Sequence, residues 1–451
     1  MTDRNLLETA RGVAAMARTG EQVEAYVLRS RDTDVQVFDG EVESLAVAEV
    51  DGVGVRLLLD HRQGYAWAGS LDPEVVAETV AEARDNAGFG TQDEALGLPE
   101  PADVDAAVAP DLDLWRDSLL SIPAADKVAL ALEVEAATRR ADPRVRGVES
   151  ASYGDGAVEV AVASSLGIEA SARRTVCSVS SFAMAGEGEE TQTGYGFSVG
   201  RTISDLDVET AGRDAAERST RLLGARQPAS RRLPVILDPL VTRSLLGLLG
   251  AALSGEAMLK GRSMFVGRAG EEVAAANVTL VDDPTLADAF GAATHDGEGV
   301  PTRRVDLIVD GHLQGFLHNV YTARRSSTRT TGSAVRGFKS TPAVGARALH
   351  LRPGAKSPSE ILASVPEALY VQSVSGLHSG TDPVSGDFSV GAEGLMVRDG
   401  AFAEPVREIT IASTLQRMLL DVAEVGADLT WLPGGAAGMT LLLTDMTMSG
   451  R

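Results

Sequence analysis

One cysteine, Cys177, is all the sulfhydryl chemistry this chain carries. That excludes an internal disulfide and a thiolate cluster for a metal. Basic residues are in deficit: 41 Lys and Arg face 64 Asp and Glu, a formal net charge of −23. Such a surface repels phosphate backbones, so no direct grip on DNA or RNA is expected; solubility is the simpler meaning of the charge. Long apolar runs are also missing. The longest near the middle, Leu245 to Leu253, is far short of the roughly 20 residues that cross a bilayer, so no membrane role is expected. No basic segment leads into an apolar stretch after Met1-Thr2-Asp3-Arg4-Asn5. No secretory signal is evident, and a cytoplasmic location is expected.

What is present is ordinary for a globular protein: 44% hydrophobic and 23% charged residues over 451 positions. That length accommodates two or three domains of about 150 residues each. Leu6, Leu7, Ala10, Val13, Ala14 and Met16 have helical spacing, which predicts a helix over 3–18 with Gly20 able to end it. Alternation then takes over. Val35, Val37, Asp39-Gly40 and Val42 predict two strands joined by a type I′ turn. Val53 to Leu59 and Tyr65 to Trp67 predict two more strands. Asp72-Pro73 opens a helix to about 86. Residues 88–123, rich in Gly and Pro, read as a surface connection. A helix over 124–141, strands over 144–200 and a helix over 205–224 follow. Helix, strands, helix thus occurs twice, as in a duplicated unit, although the residues themselves show no convincing repeat.

A boundary falls near 226–232. Beyond it, Leu233 to Leu237 predicts a buried strand, and Asp238-Pro239 starts a helix to about 253. Asp310-Gly311 and Asp399-Gly400 signal hairpins, a helix is expected near 411–424, and Met439 to Met448 alternates as a last strand. The expected fold class is α+β. An N-terminal domain of helices and antiparallel strands takes 1–229, and a β-rich C-terminal domain takes 230–451.

Zinc peptidases place two histidines on one helix with a glutamate beside the first. His61, His295, His312, His318, His350 and His378 form no such pair. His312 and His318 have even spacing, so a strand would put both on one face and allow a shared metal; two polar hairpin residues are the plainer reading. No Gly-Lys-Ser or Gly-Lys-Thr loop is present. Asp51-Gly52-Val53-Gly54-Val55 lies within a strand pattern and opens no helix, so its glycines point to a bulge or a close backbone approach. Cys177, in Val176-Cys177-Ser178-Val179, reads as a small buried hydrophobe before it reads as a catalytic thiol. Ser326, Ser327, Thr328, Thr330 and Thr331 with Arg324, Arg325 and Arg329 suit a carboxylate or phosphate, or else a solvated loop or inter-subunit contact. The stretch from His378 to Ser389 is polar and turn-rich. Its His and Asp suit acid–base work, and equally a turn whose Asp and Ser cap their own backbone.

Several stretches resemble the TldD/PmbA (TldE) family. They are Leu245 to Phe265 with its end Leu253-Ser254-Gly255-Glu256, Val384-Ser385-Gly386-Asp387-Phe388-Ser389 with Gly391 to Gly394, Val53 to Arg56, and Thr330-Thr331-Gly332-Ser333. The resemblance spans nearly the whole chain. It implies a peptidase system first named for modulating DNA gyrase. In it a TldD-type subunit binds zinc through a His-Glu-x-x-x-His helix and a late cysteine, and pairs with a PmbA/TldE-type subunit that lacks them. Placed on that pattern, the two histidine positions fall on Leu246 and Ala251, and the glutamate position on Gly247. The cysteine neighbourhood falls on Pro433-Gly434-Gly435-Ala436-Ala437-Gly438. None of these side chains has a donor atom, and catalytic zinc normally takes three protein ligands.

The resemblance therefore implies a PmbA/TldE-like subunit with no catalytic residue and no metal or other cofactor of its own. Its expected partners are a zinc-carrying TldD-like subunit and an extended peptide, including unfolded or leader peptides. Lys260, His378 and Asp387 are expected to face the shared cavity. Two other readings compete. One is a self-sufficient hydrolase without zinc, using His378 with Asp387 or Ser385; the other is a non-catalytic peptide-binding or scaffold homodimer.

Overall fold

The computed structural model describes residues 5–104 and 108–451. Residues 3 and 4 of the first expected helix and 105–107 of the expected connection lie outside that range. Helix α1 (Leu6–Ala14) starts where the Asn5 side chain accepts a hydrogen bond from Leu7 N at 3.0 Å. It buries Leu6, Ala10, Val13 and Ala14, one stripe of a 3.6-residue period. The helix ends at Ala14, before the expected stop; Gly20, with φ +86°, serves the turn into the first strand instead.

Six antiparallel strands follow: β1 (Gln22–Phe38), β2 (Glu41–Leu59), β3 (Arg62–Ala68), β4 (Val145–Ser164), β5 (Glu169–Ala185) and β6 (Gln192–Gly200). They form one sheet in the order β3-β2-β1-β4-β5-β6. Helix α2 (Pro73–Phe89) follows β3, α3 (Ala124–Ala141) precedes β4, and α4 (Val208–Thr220) follows β6. Each half of the sheet is thus a helix, a three-strand meander and a helix. The two units meet through their matching first strands, β1 against β4. The duplication suggested by the element pattern is therefore visible in the topology.

Parity decides what each face of the sheet covers. In β1 the odd positions Val23, Ala25, Val27, Val35 and Val37 are fully buried, and they pack in two clusters with the stripes of the four helices. The even positions point the other way. Tyr26 and Leu28 join Val160 and Val162 of β4 and contact Phe338 of the second half. The glycines of Asp51-Gly52-Val53-Gly54-Val55 sit on this face too. A Cβ at Gly52 would lie 2.5 Å from the Phe338 ring, so the close-approach reading of those glycines holds.

The second half is built on β7 (Arg231–Leu237), β8 (Glu367–Ser375), β9 (Asp387–Arg398), β10 (Ala401–Thr414), β11 (Val422–Val425) and β12 (Leu441–Ser449). The order is β10-β9-β8-β7-β12-β11, with β7 and β8 parallel; β10 also pairs with β12, so the sheet curls onto itself. Helix α5 (Pro239–Ala252) begins at Asp238, whose carboxylate accepts from Leu240 N at 2.9 Å. It buries Val241, Leu245, Leu246, Leu249 and Ala252. Burying a Val or Leu side chain contributes about 1.5–3 kcal/mol, which outweighs the roughly 1 kcal/mol that Gly247 and Gly250 each cost a helix. A small sheet of strands at 280–282, 305–309, 312–313 and 349–351 lies on the same core.

All three Asp-Gly signals form tight turns with positive φ at both residues: Asp39 and Gly40 at 52° and 79°, Asp310 and Gly311 at 46° and 84°, Asp399 and Gly400 at 49° and 75°. The helix expected over 411–424 is a correction. Strand β10 runs to Thr414, and only Leu415–Leu420 is helical. Ile409 and Ile411 are buried at period two, whereas Leu415, Met418 and Leu419 are buried at helical spacing. Thr414, whose side chain accepts from Arg417 N, marks the switch.

Candidate functional site

The geometry begins at α5. The Arg243 guanidinium donates to the Pro433 carbonyl. Leu349 N donates to Gly435 O, and Ala437 N to Leu349 O, both at 2.9 Å. A Cβ on Gly438 would lie 2.2 Å from Pro239 O. Residues 433–438 are thereby clamped between α5 and the strand at 349–351. The helix and the late segment, separated by about 190 residues, meet at Arg243 and Pro239. Their side chains do not suit a metal. Leu246 is buried in the core, Gly247 and Ala251 face outward, and none offers a donor. Among the described residues no group of three His, Cys, Asp or Glu is placed to hold an ion.

The next segment ties α5 to the rest of the site. Ser254 caps a short helix, its hydroxyl accepting from Ala257 N at 3.1 Å. Gly255 N donates to Leu317 O at 2.7 Å. A Cβ here would lie 2.4 Å from His318 Nδ1 and 2.9 Å from Leu317 O, so the position requires glycine. Met264 N then reaches Pro383 O at 3.3 Å, which brings in the His378–Ser389 loop. Lys260 is exposed, pairs with Glu256, and lines a cavity of about 460 Å³ with Arg56, Gln63, Asn319 and Tyr321. That cavity lies between the two halves of the chain.

His378 and Asp387 are both exposed. Neither lines the cavity that holds Lys260. No hydrogen bond joins His378 to Asp387 or Ser385 among the described residues. Asp387 instead accepts from the Ser385 hydroxyl at 2.8 Å, and Asp382 accepts from Val384 N at 2.7 Å. The loop's Asp and Ser cap their own backbone, as one of its two equal readings had it.

Other candidates resolve in the same way. His312 is exposed and its ring meets the Asp310 carbonyl at 3.1 Å; His318 is buried and its ring meets the Thr322 hydroxyl at 3.2 Å. They share no site among the described residues. Cys177 is buried, and burial pushes its thiol up to about 12, aided by Asp205 and Asp155. In the basic cluster, Arg324 donates to Leu98 O at 2.9 Å and Arg325 lies 3.6 Å from Asp93. Two of its three arginines thus tie it to the first half of the chain.

Sequence reasoning missed a buried charge network. Arg56 Nη2 lies 2.8 Å from Glu24 and 2.9 Å from Glu298, and Arg336 also pairs with Glu24. All four side chains are almost wholly excluded from solvent. Burial alone would raise the Glu24 carboxyl, but the attraction and hydrogen bonds of Arg56 and Arg336 together hold it below the usual carboxylate range. The partners lie far apart in sequence, so no local spacing announces them. The one available signal was a charged Arg56 inside the apolar stretch Val53 to Leu59.

Comparison with known proteins places this geometry. Three sequence profiles match: PmbA/TldA metallopeptidase domain 1 over 23–87, the central domain over 117–223, and the C-terminal domain over 230–450. The chain is 29% identical to Metalloprotease PmbA of Escherichia coli O157:H7, over 99% of this chain and 97% of that protein. It is 26% identical to a Metalloprotease TldD homolog of Haemophilus influenzae, over 96% and 94%. Among solved structures, a proposed modulator of a DNA gyrase from Thermotoga maritima superposes with a TM-score of 0.90 at 24% identity, covering 99% of this chain and 100% of that one. TldE from Thermococcus kodakarensis superposes at 0.87 and 23%, covering 95% and 97%. At such identities the structures speak to the fold.

Proposed function

Given that the chain belongs to the PmbA/TldD metallopeptidase family, we propose that it is the PmbA/TldE-type subunit, which walls the substrate cavity of a zinc peptidase while a TldD-like partner carries the metal. One observation carries the reading. Two segments distant in sequence, α5 and 433–438, are brought into contact, yet Leu246, Gly247, Ala251 and the whole of Pro433-Gly434-Gly435-Ala436-Ala437-Gly438 present no side-chain donor. Such a contact without donors is what a subunit that leaves the metal to its partner would have. This chain then supplies shape and contacts, not the cleavage chemistry. Lys260 in its cavity is the group best placed to meet substrate; His378 and Asp387 are the further groups assigned to substrate contact, on the loop that Met264 tethers. The substrate is an extended peptide, unfolded or a leader segment, held by backbone pairing and polar loop contacts. The protein works in the cytoplasm as a heterodimer.

Co-expression with a TldD-like chain tests this. The pair should co-elute on sizing and cleave unfolded peptides, whereas this chain alone should cleave none. Cleavage by the isolated chain, lost on His378→Ala, would replace the reading with a self-sufficient hydrolase. A pure homodimer that ignores the TldD-like chain would replace it with a scaffold.

A further inference from the structure

A second cavity, of about 330 Å³, lies between the even face of the first sheet and residues 292–297 of the second half. Ligand pockets typically measure 300–1,000 Å³. Its floor is a set of cross-strand neighbours. Leu28 faces Val160, which faces Ala172; in the next row Ser30 faces Val158, which faces Arg174. Tyr26 and Leu114 add apolar wall. Four arginines, Arg173, Arg174, Arg336 and Arg347, line the same space.

Part of their hydrogen-bonding capacity is unspent. The Arg336 side chain is 0% exposed, and Glu24 takes one of its terminal nitrogens. Its Nε and Nη2 are buried and have no partner. The guanidinium lies over the Tyr26 ring, 5.0 Å from its centroid, and forms fixed positive charge behind the cavity wall. Arg347 gives Nη2 to Ala334 O at 3.0 Å, while its Nε is buried with no partner. Arg174 has no ion pair or hydrogen bond among the described residues. Burial pushes its guanidinium below its ordinary value, and repulsion from Arg347 adds to the push. A buried donor left unmade favours an incoming acceptor, and Arg174 and Arg347 both offer one beside the cavity.

The acids facing this space do not fill that role. Asp32 makes no ion pair with Arg174 within 4 Å among the described residues. Asp296 is occupied by Glu298 N, Val300 N and Ala334 N at 2.8–3.0 Å. Burial, then repulsion from Glu298, pushes its carboxyl up to about 7. His295, the remaining titratable group there, is pushed down by burial and adds no charge near neutrality.

We propose that this cavity binds the α-carboxylate of a peptide's C-terminal residue, with Arg347 and Arg174 on the carboxylate and the Leu28–Val160–Ala172 floor under an apolar side chain. The apolar floor decides for a carboxylate on a hydrophobic residue over free phosphate, which would leave the floor uncovered. The proposal rests on the peptide-handling reading above and adds a polarity to it: the bound peptide is anchored by its free C-terminus.

Isothermal titration of the purified full chain tests it, using acetyl-Ala-Leu as the free acid, the same dipeptide as its amide, and inorganic phosphate. The free acid should bind at least tenfold more tightly than the amide. Arg174→Gln and Arg347→Gln, each confirmed as folded by circular dichroism, should weaken the acid at least tenfold and leave the amide unchanged. Either variant suffices should the other fail to fold. Equal binding of acid and amide, no binding of either at millimolar concentration, or phosphate binding without peptide binding overturns the proposal. None of these outcomes depends on zinc or cleavage. A zinc-loaded, active isolated chain would therefore refute the division of labour and leave the binding result to be judged separately.

Discussion

Arg56 offers the sharpest perturbation of the fold. It joins Glu24 of β1 to Glu298 of the second half, and all three side chains are buried. Arg56→Gln leaves Glu24 with Arg336, but it removes the only cation within ion-pair distance of Glu298 among the described residues; Glu298 keeps the Val320 amide at 2.9 Å. Deleting one member of a buried pair typically costs 3–5 kcal/mol, because the remaining charge stays buried without compensation. With one amide still bonded, we expect about 3 kcal/mol. Urea denaturation followed by tryptophan fluorescence reads this well, since Trp67 of the first half packs edge-on against Phe338 of the second, ring centroids 5.8 Å apart. The pH dependence gives an independent check. In the native chain Glu24 is held below its usual value, so its stabilisation is present above the unfolded carboxyl range and lost as pH falls through the folded value. Adding Glu298→Gln should recover part of the loss. A destabilisation below about 1 kcal/mol would refute the assignment of Arg56 as the clasp.

Two further outcomes follow. Gly255→Ala puts a Cβ 2.4 Å from the His318 ring and 2.9 Å from Leu317 O; overpacking of this kind costs about 1–3 kcal/mol, read as a lowered urea midpoint. Cys177, with its thiol pushed up to about 12, should be inert to Ellman's reagent at about pH 8 in the folded chain and react at once in urea; about one thiol in ten thousand is ionised under those conditions. Fast labelling of the folded chain would contradict the burial.

The local elements were legible because each rests on a short-range rule. The stripe Leu6-Ala10-Val13, the Asp-Gly turns and the alternation of β1 are all settled within a few residues. Glycines within a strand pattern pointed to a bulge or a close approach, and Gly52 makes the close approach. Residues 409–420 misled because two periods abut at Thr414, and Leu415, Met418 and Leu419 alone look like the middle of a longer helix. Long-range partners were not legible at all. The Arg56–Glu298 pair spans 242 residues, and the arginines of the second cavity come from β5 and from the segment 336–347. Nothing in their own neighbourhoods says that they meet. The contact of α5 with 433–438 was reached only through the family resemblance, which supplied what spacing could not.

The division of labour itself reduces to one count: zinc per polypeptide, by mass spectrometry, in this chain purified alone and in its complex with a TldD-like subunit. The account predicts essentially none in the isolated chain and about one per heterodimer, since Leu246, Gly247 and Ala251 supply none of the three ligands a catalytic zinc takes. About one tightly held zinc in the isolated chain would contradict it.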